Sequence, residues 1–403
     1  MSFESFKLND RVARGLQAAG YEKATPVQTL AIPAILAGHD VIGTAPTGTG
    51  KTAAFVLPIL HNLLTMKKQG DRKATRALIV TPTRELAEQI HSVTCELGKF
   101  TSLRSATVYG GVGMQPQEKA LRQGIEVIVA CPGRLLDHLN RGNARLDQVE
   151  ALVIDEADRM LDMGFLPSIQ EIMKRTSPQR QTLLFSATFD AAVEKLAAKS
   201  LRSPKRFSVG TDAPSSTVTH RLYPVPQHLK PGLLGRLLDE MTVDSVLVFT
   251  RTKHRADRVT EKIKRAGYAV SALHSNKSQN QRKQAMDRFR AGEINVLVAT
   301  DIAARGLDVA SISHVINFDI PDSATSYIHR IGRTGRAERL GDALTLVTHE
   351  DKETVRDIEK ILGEPIERRV LEGFNYHESS GAEQTLPRRQ TFQRIRSLKA
   401  GSA

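Results

Sequence analysis

The chain repeats one pattern twice: short apolar runs rich in β-branched residues, with helix-like stretches between them. Ala77-Leu78-Ile79-Val80, Val127-Ile128-Val129-Ala130, Leu152-Val153-Ile154 and Thr182-Leu183-Leu184-Phe185 form the first set. Ser245-Val246-Leu247-Val248-Phe249, Val296-Leu297-Val298-Ala299 and His314-Val315-Ile316-Asn317 form the second. Such runs read as strands buried on both faces, as in a parallel sheet. Stretches such as Arg84 to Cys95 and Val193 to Lys199 supply helices for both sides of the sheet. The pattern breaks near Gly210, Pro214, Ser215 and Ser216 and then restarts. At 403 residues, two α/β domains are expected. We place them at 1–207 and 218–372, with a linker at 208–217. Beyond 372 the apolar rhythm fades into a basic tail, 373–403, which is expected to be disordered or ordered only on a partner.

The formal net charge is +13, and the excess is shared by both halves of the chain. A polyanion touching both domains accounts for that distribution, although a solvated basic surface does so as well. With 40% hydrophobic and 25% charged residues, wholesale disorder is excluded. Cys95 and Cys131 are the two cysteines, too few for a disulfide framework or a four-cysteine zinc site. Met1 to Phe6 has no basic patch followed by an apolar run, and no stretch reaches the ~18 apolar residues of a spanning helix. The expected setting is the cytoplasm, with no membrane partner.

Asp40 to Thr44 reads as a strand entering the loop Ala45-Pro46-Thr47-Gly48-Thr49-Gly50-Lys51-Thr52, with a helix over Ala53 to Leu64 behind it. Pro58 is expected to kink or interrupt that helix. Ala45 stands where a strict phosphate-loop pattern has glycine, but the chemistry survives. Glycines let backbone N–H groups converge on phosphate oxygens, and the helix N-terminus adds its dipole. Lys51 reaches the β- and γ-phosphates, and Thr52 offers a hydroxyl to Mg²⁺.

Leu152-Val153-Ile154 runs straight into Asp155-Glu156-Ala157-Asp158. Alone, this is an acidic helix start. Beside a phosphate loop, Asp155 is placed to hold Mg²⁺ through water, and Glu156 to orient or deprotonate the water attacking the γ-phosphate. In the second domain, His329-Arg330-Ile331-Gly332-Arg333-Thr334-Gly335-Arg336 sets three arginines among glycines. Arg333 and Arg336 are expected to reach the γ-phosphate when the domains close. Such arginine fingers contribute ~10³–10⁵ in rate.

Ala45–Thr52, Asp155–Asp158, Ser186-Ala187-Thr188 and His329–Arg336 occur in that order across two α/β domains. The chain thereby resembles the DEAD-box ATP-dependent RNA helicases, most closely the compact bacterial RhlE-like members, from Phe3 to about residue 370. The resemblance implies tandem RecA-like domains. It implies that Gln28, in Gly20-Tyr21-Glu22-Lys23-Ala24-Thr25-Pro26-Val27-Gln28, bonds the adenine edge, that Tyr21 stacks on the base, and that Phe3 is the isolated upstream aromatic. It gives Thr47, Gly48, Thr49, Gly50, Lys51 and Thr52 to the phosphates, and brings Gly306 and Asp308 to the phosphates and ribose. Ser186, Thr188 and His329 resemble coupling residues, with Asp158 as the hydrogen-bond partner expected for the two hydroxyls.

The family's RNA-contact motifs match Pro82, Thr83 and Arg84, then Gly110-Gly111, then Cys131-Pro132-Gly133-Arg134. In the second domain Arg251, Gln279, Arg282 and Thr300 stand at similar motif positions. Cys131 departs from the threonine usual there, and a thiol is a poor hydrogen-bond donor. Hydroxyls, arginines and amides near glycine suit phosphate and ribose, so binding to single-stranded or structured RNA is expected to be largely independent of sequence. The implied activity is RNA-stimulated ATP hydrolysis with local, non-processive unwinding of short duplexes or remodelling of RNA–protein complexes by a monomer. The alternative is an ATP-gated RNA clamp or assembly platform with little unwinding. A DNA helicase is disfavoured by Gln28 and the Asp-Glu-Ala-Asp spelling, and a small-molecule kinase leaves the second domain unexplained.

Overall fold

Two units, Met1–Asp212 and Ala213–Ala403, are each built on one seven-stranded sheet. The computed structural model describes residues 1–403 except 47, 66–73, 210–217, 242–244, 305–311, 336–340 and 379–403. The first sheet contains β1 (Val41–Thr44), β2 (Ala77–Val80), β3 (Ser105–Val108), β4 (Val127–Ala130), β5 (Ala151–Ile154), β6 (Gln181–Ser186) and β7 (Lys205–Ser208). Its strand order is β3-β4-β2-β5-β6-β1-β7. The second contains β8 (Val218–Pro224), β9 (Val246–Phe249), β10 (Val270–Leu273), β11 (Val296–Ala299), β12 (His314–Asn317), β13 (Gly341–Val347) and β14 (Glu367–Arg368), in the order β10-β11-β9-β12-β13-β8-β14. The two orders are one topology repeated, and every strand pair is parallel.

Alternation across the pleat divides each core. In the first sheet Ile79, Val153, Leu183 and Phe185 pack into one layer, and Leu78, Val80, Leu152, Ile154 and Leu184 into the other. With both faces covered by helices, the central strands need apolar side chains at every position. The outer strands β7 and β14 carry charged, largely exposed residues, the usual protection of a sheet edge.

Register brings the functional loops to one edge. Thr44 pairs with Ser186, Ile154 with Leu184, and Val80 with both Ala130 and Ile154. The residues that follow these strands therefore emerge together at the carboxyl ends, where open α/β sheets bind ligands. Thr250, Thr300 and Phe318 leave the second sheet in the same way, after Phe249, Ala299 and Asn317.

Three sequence expectations change. The helix after the phosphate loop runs unbroken from Lys51 to Thr65 through Pro58. Its flanking residues Leu57 and Ile59 are buried, so tertiary packing offsets the lost backbone donor. Ser208 ends β7 and Val209 N–H still bonds the Thr44 carbonyl at 2.8 Å, so the first sheet reaches into the expected linker. Packed chain also continues past 372. Phe374 and Tyr376 stack edge to face at 4.9 Å and pack on the second core, and Tyr376 Oη accepts from Leu371 N–H at 2.9 Å.

Candidate nucleotide and RNA site

The phosphate loop leaves β1 beside β6, and Ala45 N–H bonds the Ser186 carbonyl at 3.0 Å. Gly48 and Gly50 take φ of 86° and 91°, in the left-handed region where glycine pays no Cβ penalty. Lys51 is buried, and its ammonium donates to the Ala45 carbonyl at 2.7 Å. Thr49 Oγ1 donates to the Pro46 carbonyl at 2.9 Å, and Thr52 follows in the first helical turn. Thr47 lies outside the described residues.

Gln28 is buried and both ends of its amide are engaged. Oε1 accepts from Thr25 N–H at 2.9 Å, and Nε2 donates to the Gly50 carbonyl at 3.1 Å. The residue expected at the adenine edge thus also braces the phosphate loop. Tyr21 stands half-buried with its ring edge-on to Phe3 at 6.2 Å, and Phe3 in turn meets Phe6 at 5.9 Å. Burial, then the charge of Glu96, raises the Tyr21 phenol.

The acidic group sits at the end of β5. Asp155, Glu156 and Asp158 are all buried. Burial pushes Asp155 up to about 7, against the pull of Lys51. Glu156 is one of three non-glycine residues with positive φ among the described residues, at φ 55° and ψ 50°. Its Oε2 accepts from Arg159 Nη1 at 2.6 Å. Asp158 Oδ2 accepts from both the backbone N–H and the hydroxyl of Thr188 at 3.0 Å, and Asp158 N–H donates to Ser186 Oγ at 3.2 Å. Among the described residues no cluster of three or more His, Cys, Asp or Glu could cage a metal. A buried carboxylate beside a phosphate loop fits a divalent cation that shares its coordination with substrate phosphates.

The expected RNA residues of the first unit lie along the same sheet edge. Pro82 is buried, and Thr83 caps the helix Arg84–Leu97, its hydroxyl accepting from Leu86 N–H at 3.3 Å. Arg84 stacks over the Tyr109 ring at 4.5 Å and reaches Glu88 at 3.4 Å, while its Nε and Nη1 are buried without a hydrogen-bond partner. Gly111 has φ 79° and open space where a Cβ would stand. Arg134 Nη1 donates to the Val112 carbonyl at 2.9 Å, which ties the glycine turn to the helix Pro132–Asn140. Cys131 precedes that helix, and its thiol makes no capping bond. Burial, followed by the charge of Glu85, pushes the thiol up to about 12.

In the second unit Arg251 N–H donates to Asp319 at 2.9 Å, and its side chain reaches Asp322 at 3.2 Å. Gln279 and Arg282 lie in the first turn of the helix Gln279–Arg290, and Thr300 immediately precedes the helix Asp301–Ala304. His329 lies on the helix Ala324–Ile331, and its carbonyl accepts from Arg333 Nε at 3.3 Å. Arg333 is buried. Arg336, Gly306 and Asp308 lie outside the described residues.

Nothing in the local sequence singles out Arg330 or Arg159 as site residues. Both are almost fully buried and pair with acidic residues. Arg330 sat in plain view between His329 and Arg333, but nothing local marks an arginine as a core residue.

A phosphate loop and a buried acidic turn on one parallel sheet, followed by a second sheet of the same topology, define a nucleoside-triphosphatase of tandem RecA-like domains. The comparisons narrow that class. A DEAD/DEAH box helicase model matches residues 25–196, and a helicase conserved C-terminal domain model matches residues 229–338. The chain is 41% identical over 362 residues to the ATP-dependent RNA helicase CshA of Limosilactobacillus reuteri, covering 90% of this chain and 72% of that one. It is 39% identical over 369 residues to the DEAD-box ATP-dependent RNA helicase CshA of Bacillus subtilis, covering 91% and 74%. The structure resembles S. cerevisiae Dbp5 bound to RNA and ADP BeF3, with a TM-score of 0.82 and 31% identity over 91% of this chain and 95% of that one. It also resembles Mss116p bound to ssRNA and AMP-PNP, with a TM-score of 0.82 and 26% identity over 92% and 79%. The chain belongs to the DEAD-box ATP-dependent RNA helicase family. No helix of the described residues is long and apolar enough to cross a membrane.

Proposed function

We propose that this protein binds single-stranded RNA and ATP with residues of both units, hydrolyses ATP to ADP and phosphate when RNA is bound, and locally opens short RNA duplexes. The observation that carries the reading is the joining of Asp158 to Ser186 and Thr188 at the sheet edge that also holds Lys51 and Glu156. These bonds tie the acidic turn after β5 to the loop after β6, so a shift at the phosphates is passed to the neighbouring loop.

Lys51 binds the β- and γ-phosphates after exchanging the Ala45 carbonyl for them, and the loop amides supply the remaining donors. Mg²⁺, held by Thr52, Asp155 and the phosphates, would neutralise charge on the transferring phosphoryl group. Glu156 orients the attacking water, and Arg333 and Arg336 complete the charge stabilisation. Because residues of both units serve each ligand, each ligand lowers the cost of closure for the other, a reciprocal coupling. Stacking is worth about 1.4 kcal/mol per step, so closure opens a few steps and no more. Contact with 2′-hydroxyls selects RNA. We assign the compact RhlE-like subtype, a monomer and a cytoplasmic location on the sequence resemblance, with ribonucleoproteins among its targets.

The test is steady-state ATP hydrolysis alone, with single-stranded RNA and with DNA of the same sequence. Stimulation by RNA only is expected. Lys51→Ala should lose nucleotide binding, whereas Glu156→Gln should keep ATP and RNA binding and stop turnover. Equal stimulation by DNA, or parental turnover in Glu156→Gln, defeats the reading.

A further inference from the structure

The helix Ala157–Asp162 begins directly after Glu156 and places Arg159 one turn on, so the i and i+3 side chains lie on one face. The pair is buried on both sides, the Arg159 side chain being 1% exposed and that of Glu156 4%. Arg159 Nη1 takes one carboxylate oxygen, Oε2, at 2.6 Å. Oε1 accepts no hydrogen bond from the described residues. The backbone fixes the other end of the same side chain. Glu156 sits in the left-handed region, and its N–H is held by Asp155 Oδ1 at 3.1 Å. Arg159 itself is anchored, since its N–H donates to Asp158 Oδ1 at 3.0 Å, and Asp158 is the residue that Thr188 grips.

We propose that Arg159 is a positioning residue for ATP hydrolysis: its guanidinium holds the Glu156 carboxylate in the orientation that presents Oε1 to the attacking water, and transmits movement of Asp158 to it. This rests on the reading of Glu156 as the water-orienting residue. A buried left-handed glutamate is costly to maintain, and such strain persists where the surroundings over-determine it. Here the Asp155 bond holds the Glu156 backbone and the buried arginine holds its carboxylate. A flexible carboxylate would orient water poorly, because misplacement by about 1 Å costs on the order of 10²-fold in rate.

The experiment compares Arg159→Met, Arg159→Lys, Glu156→Gln and the double variant Glu156→Gln/Arg159→Met in the full chain. It reads RNA-stimulated kcat, KM for ATP, RNA affinity and the melting transition. Arg159→Met should lower kcat by roughly 10- to 100-fold, with KM and RNA affinity within threefold of the parent. Arg159→Lys should recover part of the loss, because an ammonium still holds the carboxylate but as a point charge. The double variant should be no slower than Glu156→Gln alone, since residues acting as a unit are non-additive. If Arg159→Met does not fold, Arg159→Gln, which keeps a donor and drops the charge, is held to the same criteria. A kcat within threefold of the parent, or equal losses in kcat, KM and RNA affinity, overturns the proposal. Parental turnover in Glu156→Gln instead overturns the underlying assignment of Glu156, so the two failures are told apart.

Discussion

Arg330 and Asp301 form a forked pair in the second unit, Nε to Oδ1 at 2.6 Å and Nη2 to Oδ2 at 2.7 Å. The same guanidinium donates through Nη1 to the Asp319 carbonyl at 2.6 Å and to Asn317 Oδ1 at 3.1 Å, and lies over the Phe249 ring at 4.9 Å. One side chain thus joins the ends of β9 and β12, the loop after β12 and the helix after β11 to the helix Ala324–Ile331. Arg330 is buried, whereas the Asp301 side chain is 31% exposed. Removing the arginine leaves several acceptors unpaired, at a cost of about 3 kcal/mol, the low end for a broken buried pair.

Arg330→Met should therefore lower the denaturant midpoint of the full chain, and Arg330→Lys should be nearly as damaging, because an ammonium cannot reproduce the planar fork. Urea unfolding checks this. A lysine variant as stable as the parent would show that the fork geometry contributes little.

Cys131 has extended backbone, φ −90° and ψ 141°, at the N-cap of Pro132–Asn140, yet its thiol makes no cap bond. Cys131→Thr should add about 0.5–1 kcal/mol, the usual worth of a hydroxyl cap. The alkaline behaviour should change too. Burial holds the folded thiol near 12 against an ordinary 9.0, so the unfolded chain loses its proton first. That part of the stability is fully present below about pH 9 and is lost as pH rises towards 12, and the threonine variant lacks this arm. Urea midpoints at pH 8 and 10 for both proteins test it, with the gap expected to widen at pH 10. Iodoacetamide at pH 8 should label exposed Cys95 well before Cys131. Equal labelling would contradict the burial that underlies the argument.

The strands legible in the sequence are those buried on both faces. Ala77–Val80 and Val127–Ala130 are uniformly apolar because helices cover both sides of the sheet. β7 and β14 carry Lys205, Arg206, Glu367 and Arg368, residues that also suit a loop, and only register against β1 and β8 makes them strands. The site was legible in the same uneven way. Asp155 and Glu156 directly follow β5, and Lys51 opens the helix after the loop that leaves β1, so local order marks all three. Arg159 and Arg330 are set apart by burial, and Tyr109 by its contact with Arg84, none of which spacing alone reveals.

The Tyr109 ring supports Arg84 from below, and its hydroxyl donates to Glu88. Two nitrogens of Arg84 make no hydrogen bond and a guanidinium is suited to a phosphate, while the Tyr109 ring and Glu88, one turn along the same helix, fix its position. Tyr109→Ala should weaken RNA binding by roughly two- to fivefold, as expected for a cation–π contact of about 0.5–1 kcal/mol. Tyr109→Phe keeps the ring and should stay near the parent. Fluorescence anisotropy with a short labelled RNA measures both. If phenylalanine lost as much as alanine, the hydroxyl bond to Glu88 would be the part that matters.

Gln28 and Gly50 meet where the phosphate loop turns into its helix. Gly50 has φ 91°, and a Cβ built there would stand 2.6 Å from Gln28 Nε2. Gly50→Ala therefore carries two penalties, a left-handed backbone worth about 1–2 kcal/mol and a clash with the glutamine amide. If the loop must keep this shape to bind phosphate, ATP affinity should fall by roughly five- to thirtyfold from the backbone alone. Adding Gln28→Ala removes the clash but leaves the backbone strain. The double variant should then bind ATP more tightly than the sum of the single losses predicts, which is the sign of direct contact. Titration with a fluorescent ATP analogue measures all three variants. Strict additivity would mean that Gln28 does not brace the loop in the nucleotide-binding state, and that its amide is free for the base.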